Sequence, residues 1–274
     1  MPVYTHPDDI TPYDVEDYLK GSSKYDEEEI LPEDQEIISR LIQHFTKGKQ
    51  IETLKKRFYA DIQNGEPLLL TEIGHADLYP ALLINGIGKA FNTDHYHIEL
   101  HDRIRASREI LYRSLYGTQL TDMGLQESLW NKYRNYMEEQ GGEWWHGRFN
   151  DLRKKGRIID SSMSRTPANR YHAAFSFFGM DFNPDSLKVF KKNIKTYVES
   201  VKPGGLVAGA LMGGATSWQM GKSAIPAVPL SVKDVQDAFK EAGAYVQVDK
   251  IKAPPGIRDG YDGVIMWSGF RKLN

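Results

Sequence analysis

Three short apolar runs each end in or beside an acid, and this repetition is where chemistry could be done. Glu72 lies near the end of Pro67-Leu-Leu-Leu-Thr-Glu-Ile-Gly74, Glu99 near the end of His95-Tyr-His-Ile-Glu-Leu100, and Asp160 at the end of Arg157-Ile-Ile-Asp160. A carboxylate at a strand tip can accept both vicinal hydroxyls of a sugar in bidentate fashion, the task that suits Glu99. Gly74 removes a Cβ from a ligand's path, and the helix expected after His75 and Ala76 would turn its free amides to the same place. Asp160 and Ser161 could receive the amino group of a base. Each residue also has a plainer reading: Gly74 as a turn glycine, Glu99 as a solvated strand-end acid, Asp160 as a helix cap.

A second set of carboxylates, Asp181, Asp234, Asp259 and Asp262, could take a proton from a bound amine, with Tyr261 and Trp218 as aromatic walls. For Asp234 the alternative is a first-turn acid favoured by the helix dipole. Trp144-Trp145-His146 and Trp130, Tyr133, Tyr136 and Met137 could line an aromatic cavity. They could equally pack a cap onto the body, as aromatic stripes at helical spacing do. His95, His97, His101 and His172 alternate along strands with no matching set of carboxylates, so no metal site is expected.

These side chains need elements to hold them. Apolar residues recur at helical spacing over Glu33–Phe45 and Ile51–Ile62, predicting two helices ahead of the sheet. Strands at 67–74 and 95–100 each lead into a helix, the second capped by Asp102. Residues 117–156 interrupt this rhythm with two aromatic-rich helical pieces, 125–139 and 143–155, which read as an inserted cap. A third strand at 157–160 and a fourth at 171–178 follow, then a helix over Leu187–Val201. Lys202-Pro203-Gly204-Gly205 reads as a helix stop and turn into a buried fifth strand. Met212–Val228 looks too irregular for an element and typical of a substrate-facing loop. A helix from Ser231 to Gly243 and two closing strands, 245–251 and 264–270, complete an α/β doubly wound sheet with ligands at its carboxyl edge. The expected division is an arm with lid helices over 1–64 and a ligand-binding domain over 65–274.

Composition narrows the function classes. A chain of 274 residues with 40% hydrophobic content can bury one large core. A formal net charge of -2, with Lys and Arg dispersed, gives no footprint for nucleic acid. The absence of cysteine excludes disulfides and thiolate chemistry and points to a reducing cytoplasm. The first residues carry no basic and apolar signal region, and no apolar stretch suits a membrane span.

Taken together, the motifs resemble a known family. The block Val201-Lys-Pro-Gly-Gly-Leu-Val-Ala-Gly-Ala-Leu211, then Ser217-Trp218, then Val228 to Gly243, is similar to the small-molecule N-methyltransferases of nicotinamide, phenylethanolamine and thioether or indolethylamine. Tyr171 to Leu187 resembles the family's fourth strand and next helix start, and Tyr13 to Tyr25 its tyrosine-bearing lid; residues 10 to 272 are covered in all. The resemblance implies a class I methyltransferase fold: a Rossmann-like, mostly parallel seven-stranded sheet with an N-terminal helical lid and a helical insert. It implies a monomer that binds S-adenosylmethionine and methylates a nitrogen of a small amine-bearing or heteroaromatic, specialised metabolite. Methylation of oxygen or sulfur, or a non-catalytic relative, are the alternatives on the same fold. A nicotinamide-dependent oxidoreductase is disfavoured because Gly74-His75-Ala76 lacks the three-glycine fingerprint.

By the same resemblance, Tyr18 and Tyr25 would belong to the lid over the cofactor. Glu72, Gly74, His75 and Ala76 would surround its methionine and ribose, Glu99 would hold the ribose, and Asp160 and Ser161 the adenine. Ser176 and Phe177 would face the methionine tail or the methyl group, with Asp181 near both ligands. Asp234 falls where phenylethanolamine enzymes carry an amine-facing glutamate. The family usually has a second glycine in place of Ala76 and a small polar residue in place of His75. In the nicotinamide enzymes an acid replaces Gly209, so nicotinamide is not the expected acceptor.

Overall fold

The computed structural model describes residues 9–12, 14–15, 30–74, 79–91, 95–116, 124–141, 149–161, 165–180, 186–220, 222–252 and 260–273. In chain order the helices are α1 (Pro32–Thr46), α2 (Gln50–Arg57), α3 (Tyr59–Gln63), α4 (Tyr79–Ala90), α5 (Arg105–Tyr116), α6 (Gly124–Gly141), α7 (Phe149–Lys155), α8 (Leu187–Ser200) and α9 (Val232–Glu241). The strands are β1 (Leu68–Ile73), β2 (Tyr96–Asp102), β3 (Gly156–Asp160), β4 (Tyr171–Phe177), β5 (Val201–Gly213), β6 (Ser217–Met220), β7 (Ser223–Pro226), β8 (Ala244–Ile251) and β9 (Gly263–Arg271).

Seven strands form one sheet in the order β3-β2-β1-β4-β5-β9-β8. The first five are parallel, and β9 runs antiparallel between β5 and β8. This is the wound, mostly parallel seven-stranded α/β sheet expected from the sequence. Its central strands are apolar without alternation because helices cover both faces: every residue of β4 is buried. On one face Phe190, Ile194 and Tyr197 of α8 and Val235 and Phe239 of α9 pack with Trp267 of β9. On the other, α1, α2, α4 and α6 share a core with β1 and β2. The N-terminal helices thus belong to the sheet's own core; Phe45 of α1 meets Phe175 of β4 edge to face, ring centroids 6.3 Å apart.

Helix ends follow local chemistry. Ser186 caps α8 by accepting the N–H of Val189, and Ser231 with Asp234 forms a capping box on α9. In the insert, Tyr133 bonds the carboxylate of Asp34, and the hydroxyl of Tyr136 lies 2.8 Å from Ser39 Oγ. The Tyr133, Tyr136 and Met137 stripe therefore packs α6 onto α1.

Three local expectations need correction. β2 does not end at Leu100 but runs on through His101 and Asp102, both buried. Lys202 to Gly205 is no simple turn: β5 already pairs at Val201 with Tyr171, and its next partner pair is Leu206 with Ala173. The extra residues form a bulge that Gly204 permits with φ of 79°. Within the stretch read as irregular, β6 and β7 pair as an antiparallel hairpin.

Candidate functional site

β1 lies between β2 and β4, so successive crossovers leave it in opposite directions. Ligands of wound sheets bind in the crevice beyond the carboxyl ends at such a switch point. Here two glycines meet. A Cβ on Gly74, whose φ is 85°, would lie 2.5 Å from the Cα of Gly179, and a Cβ on Gly179 would lie 2.7 Å from the carbonyl oxygen of Ile73. The exits of β1 and β4 thus cross backbone against backbone. Ser176 secures the crossing by donating its hydroxyl to Ile73 O at 2.7 Å. Phe178 holds a left-handed φ of 57° while its N–H bonds Ala210 O at 2.7 Å. Gly74 therefore has to be glycine because the backbone at Gly179 lies against it, whatever else approaches it. Gly179 and Phe178 were missed; the change from an apolar run to Phe178-Gly179 was their only signal. Phe177 is buried beside them, and Glu72 is fully buried near the end of β1.

β2 carries the other acids. The carboxylate of Glu99 accepts from Arg170 at 2.5 Å on Oε1, and from Tyr171 OH at 2.6 Å and Arg170 Nε at 3.3 Å on Oε2. His101 Nε2 stands 3.4 Å from the same Oε2. Burial would raise this carboxyl's pKa, but hydrogen bonds from His101, Arg170 and Tyr171 outweigh it and bring it down to about 2. Glu99 is thus held ionised by a network rather than lying in solvent. Asp102, at the true tip of β2, caps the following helix through Ile104 N–H at 2.6 Å. Asp160 is exposed and pairs with Arg108 at 3.0 Å, while Ser161 next to it is buried.

Three of the described residues expected on the substrate side are engaged by other parts of the chain. Asp234 is engaged at the helix start, accepting from Ser231 N–H at 2.9 Å, the plainer of its two readings. Asp262 accepts from Lys250 at 2.5 Å, its backbone tied to Gly213 O. Tyr261 donates to Glu33 at the start of α1, 3.1 Å away. Trp218 is on β6, opposite Ile225. Tyr18, Tyr25, His75, Ala76, Trp144, Asp181 and Asp259 lie outside the described residues. No side chain fits at Gly209, where a Cβ would lie 2.0 Å from Ser176 O and 2.6 Å from the Trp267 ring. Among the described residues no group of three side chains could hold a metal ion, and no helix is long and apolar enough to cross a membrane.

Part of the N-terminal arm reaches the same edge. Ile10 and Val15 pack with Ile104 and Ile110 at α5 and with Ile225 and Ala227 at β7, and Phe178 and Met212 pack against this cluster. Asp14 fixes the arm locally through Thr11 Oγ1 at 2.6 Å, and its other oxygen accepts Lys222 N–H at 3.4 Å. The Thr11 bond above all lowers the pKa of Asp14.

No family model and no curated protein matches the chain. Solved structures resemble it at low identity. A SAM-dependent methyltransferase from Methanosarcina mazei is 12% identical over 76% of this chain and 94% of that one, with a TM-score of 0.47. DhpI in complex with SAH is 11% identical over 96% and 98%, TM-score 0.47. A predicted O-methyltransferase from Agrobacterium tumefaciens is 13% identical over 74% and 73%, TM-score 0.42. Similarity at this level carries no information on substrate.

Proposed function

We propose that the chain is an S-adenosylmethionine-dependent methyltransferase that methylates a nitrogen of a small amine-bearing or heteroaromatic molecule. The observation that carries this reading is the Gly74–Gly179 crossing at the β1/β4 switch point, partly roofed by the N-terminal arm. A ligand there would meet main chain on one side, and this reading takes the β2 network, with an ionised Glu99, to face it on the other. Those groups suit an adenosyl sulfonium: bare backbone for its amino-acid tail, acceptors for its sugar, and Asp160 with Ser161 for its base. Ser176 and Phe177 border the crossing, and Tyr18, Tyr25, His75 and Ala76 would complete the enclosure.

When bound, the cofactor supplies a methyl group already activated on sulfur. The protein's share is to align the acceptor with that methyl and to exclude water, the work proposed for the arm and the β6–β7 hairpin. An amine arrives protonated at neutral pH, so a carboxylate beside it must hold that proton; Asp181, Asp259 and Asp262 are the candidates, with Trp144, Trp218 and Tyr261 as walls. Asp234 keeps its place in the helix cap.

The test incubates the protein and methyl-labelled S-adenosylmethionine with amines, azaheterocycles, thiols and catechols. Label is expected on an amine or ring nitrogen. Label on sulfur or oxygen would overturn the acceptor assignment, and no transfer despite tight cofactor binding would indicate a non-catalytic relative.

A further inference from the structure

The β6–β7 hairpin leaves the sheet at the end of β5 and returns to α9, yet its apolar partners include α5, which follows β2. Ile225 and Ala227 of β7 share one buried cluster with Ile104, Ala106 and Ile110 at α5, joined by Ile10 and Val15 of the arm. β4 and β1 stand between β5 and β2, so arm and hairpin together span three strand spacings, about 14 Å, across their carboxyl ends. Phe178, next to the Gly74–Gly179 crossing, packs against the same cluster. Chain therefore lies over the switch point.

The two ends of this cover are held differently. At the base, Gly214 N–H bonds Leu230 O and Ala227 N–H bonds Thr216 O, both at 3.0 Å, while Asp262 N–H bonds Gly213 O at 3.1 Å. Gly214, with φ of 70°, lies so close to Gly260 that a Cβ on it would be 2.2 Å from the Gly260 carbonyl oxygen. At the far end, the hydrogen bond from hairpin to arm among the described residues is Lys222 N–H to Asp14 Oδ1, a long 3.4 Å, and Lys222 is exposed. Asp14 Oδ2 meanwhile takes Thr11 Oγ1 at 2.6 Å and Thr11 N–H at 3.0 Å. A firm base and a lightly held tip make a hinge. We infer that arm and hairpin form one strap over the switch point, hinged at Gly214 and latched by Asp14, which opens for the nucleoside cofactor to enter and to leave. Strap opening, not diffusion, then sets both rates. This inference rests on the methyltransferase reading.

Surface plasmon resonance follows S-adenosylhomocysteine onto and off the wild type and Asp14→Ala, with thermal melts to confirm folding. Loss of the latch should raise association and dissociation rates together, each roughly fivefold, with Kd changed by less than about twofold. A second variant, Asp14→Cys with Lys222→Cys, is joined by a short bis-maleimide and decides the matter where Asp14→Ala fails to fold. The chain has no cysteine of its own, so the bridge forms at this pair. It should slow both rates at least roughly tenfold. Faster dissociation with unchanged association in Asp14→Ala, or wild-type rates in the bridged protein, would overturn the strap and leave the methyltransferase reading standing. Failure of the wild type to bind S-adenosylhomocysteine would instead overturn that reading.

Discussion

Two histidines of the same sheet, His101 on β2 and His172 on β4, are equally buried at 2% exposure and do opposite things with their rings. His172 Nδ1 accepts the main-chain N–H of Leu69 at 2.9 Å, so Nε2 carries the hydrogen and donates to Asp61 at 3.1 Å. Lys202 closes the group, 2.8 Å from the same Asp61 oxygen, and Phe58 meets the imidazole edge-on with centroids 4.8 Å apart. Every polar atom of that ring is engaged, and the cluster joins α3 and the bulge of β5 to β1 and β4. His101 has Nε2 engaged by Tyr171 and, among the described residues, no partner for Nδ1. A buried polar group answered from within the chain builds the fold, and the two rings differ in how far that answer is complete.

The largest effect that would sharpen this contrast is on stability. His172→Phe orphans Leu69 N–H and leaves Asp61 and Lys202 without the imidazole, and should lower the unfolding free energy by about 2–3 kcal/mol in urea titrations, with cofactor affinity unchanged. His101→Gln should cost less than about 1 kcal/mol without ligand. Equal losses would erase the distinction. Acid should expose the same difference. Burial first, and the Lys202 charge second, lower the pKa of His172 from its ordinary 6.5, with the Asp61 carboxylate pulling the other way. The unfolded chain therefore takes up this proton before the folded one. The contribution is complete above pH 6.5 and is lost as pH falls from there towards the depressed folded value, at no more than about 1.4 kcal/mol per pH unit. His172→Phe should flatten that slope. The smallest effect belongs to Asp234→Ala, which removes half of a capping box: about 0.5–1 kcal/mol by thermal melt, with no change in cofactor binding. A large loss of binding would return Asp234 to the site.

The sequence disclosed whatever depends on local pattern. The buried strands, the Ser231 start of α9 and the stop at Gly243, with φ of 82°, were readable because period, cap and glycine lie within a few residues of one another. Tyr133, Tyr136 and Met137 showed a helical stripe for the same reason. Features set by distant neighbours were not readable. Gly74 needs to be glycine because Gly179, more than a hundred positions away, lies against it. Glu99 is held by Arg170 and Tyr171 across the sheet, which no spacing on β2 could announce. His101 and Asp102 are polar yet stay in the strand because the network and the helix start answer them. The β6–β7 hairpin escaped notice because its strands are four residues each and the second ends in Pro226.

Calorimetric titration of S-adenosylmethionine into the protein, alongside Glu99→Ala, tests the central claim most directly. Saturable one-to-one binding, weakened at least roughly tenfold by the substitution while the variant stays folded, is the predicted result. An absence of binding by wild type, or affinity in Glu99→Ala equal to wild type, would contradict a nucleoside site at the carboxyl ends of β1, β2 and β4.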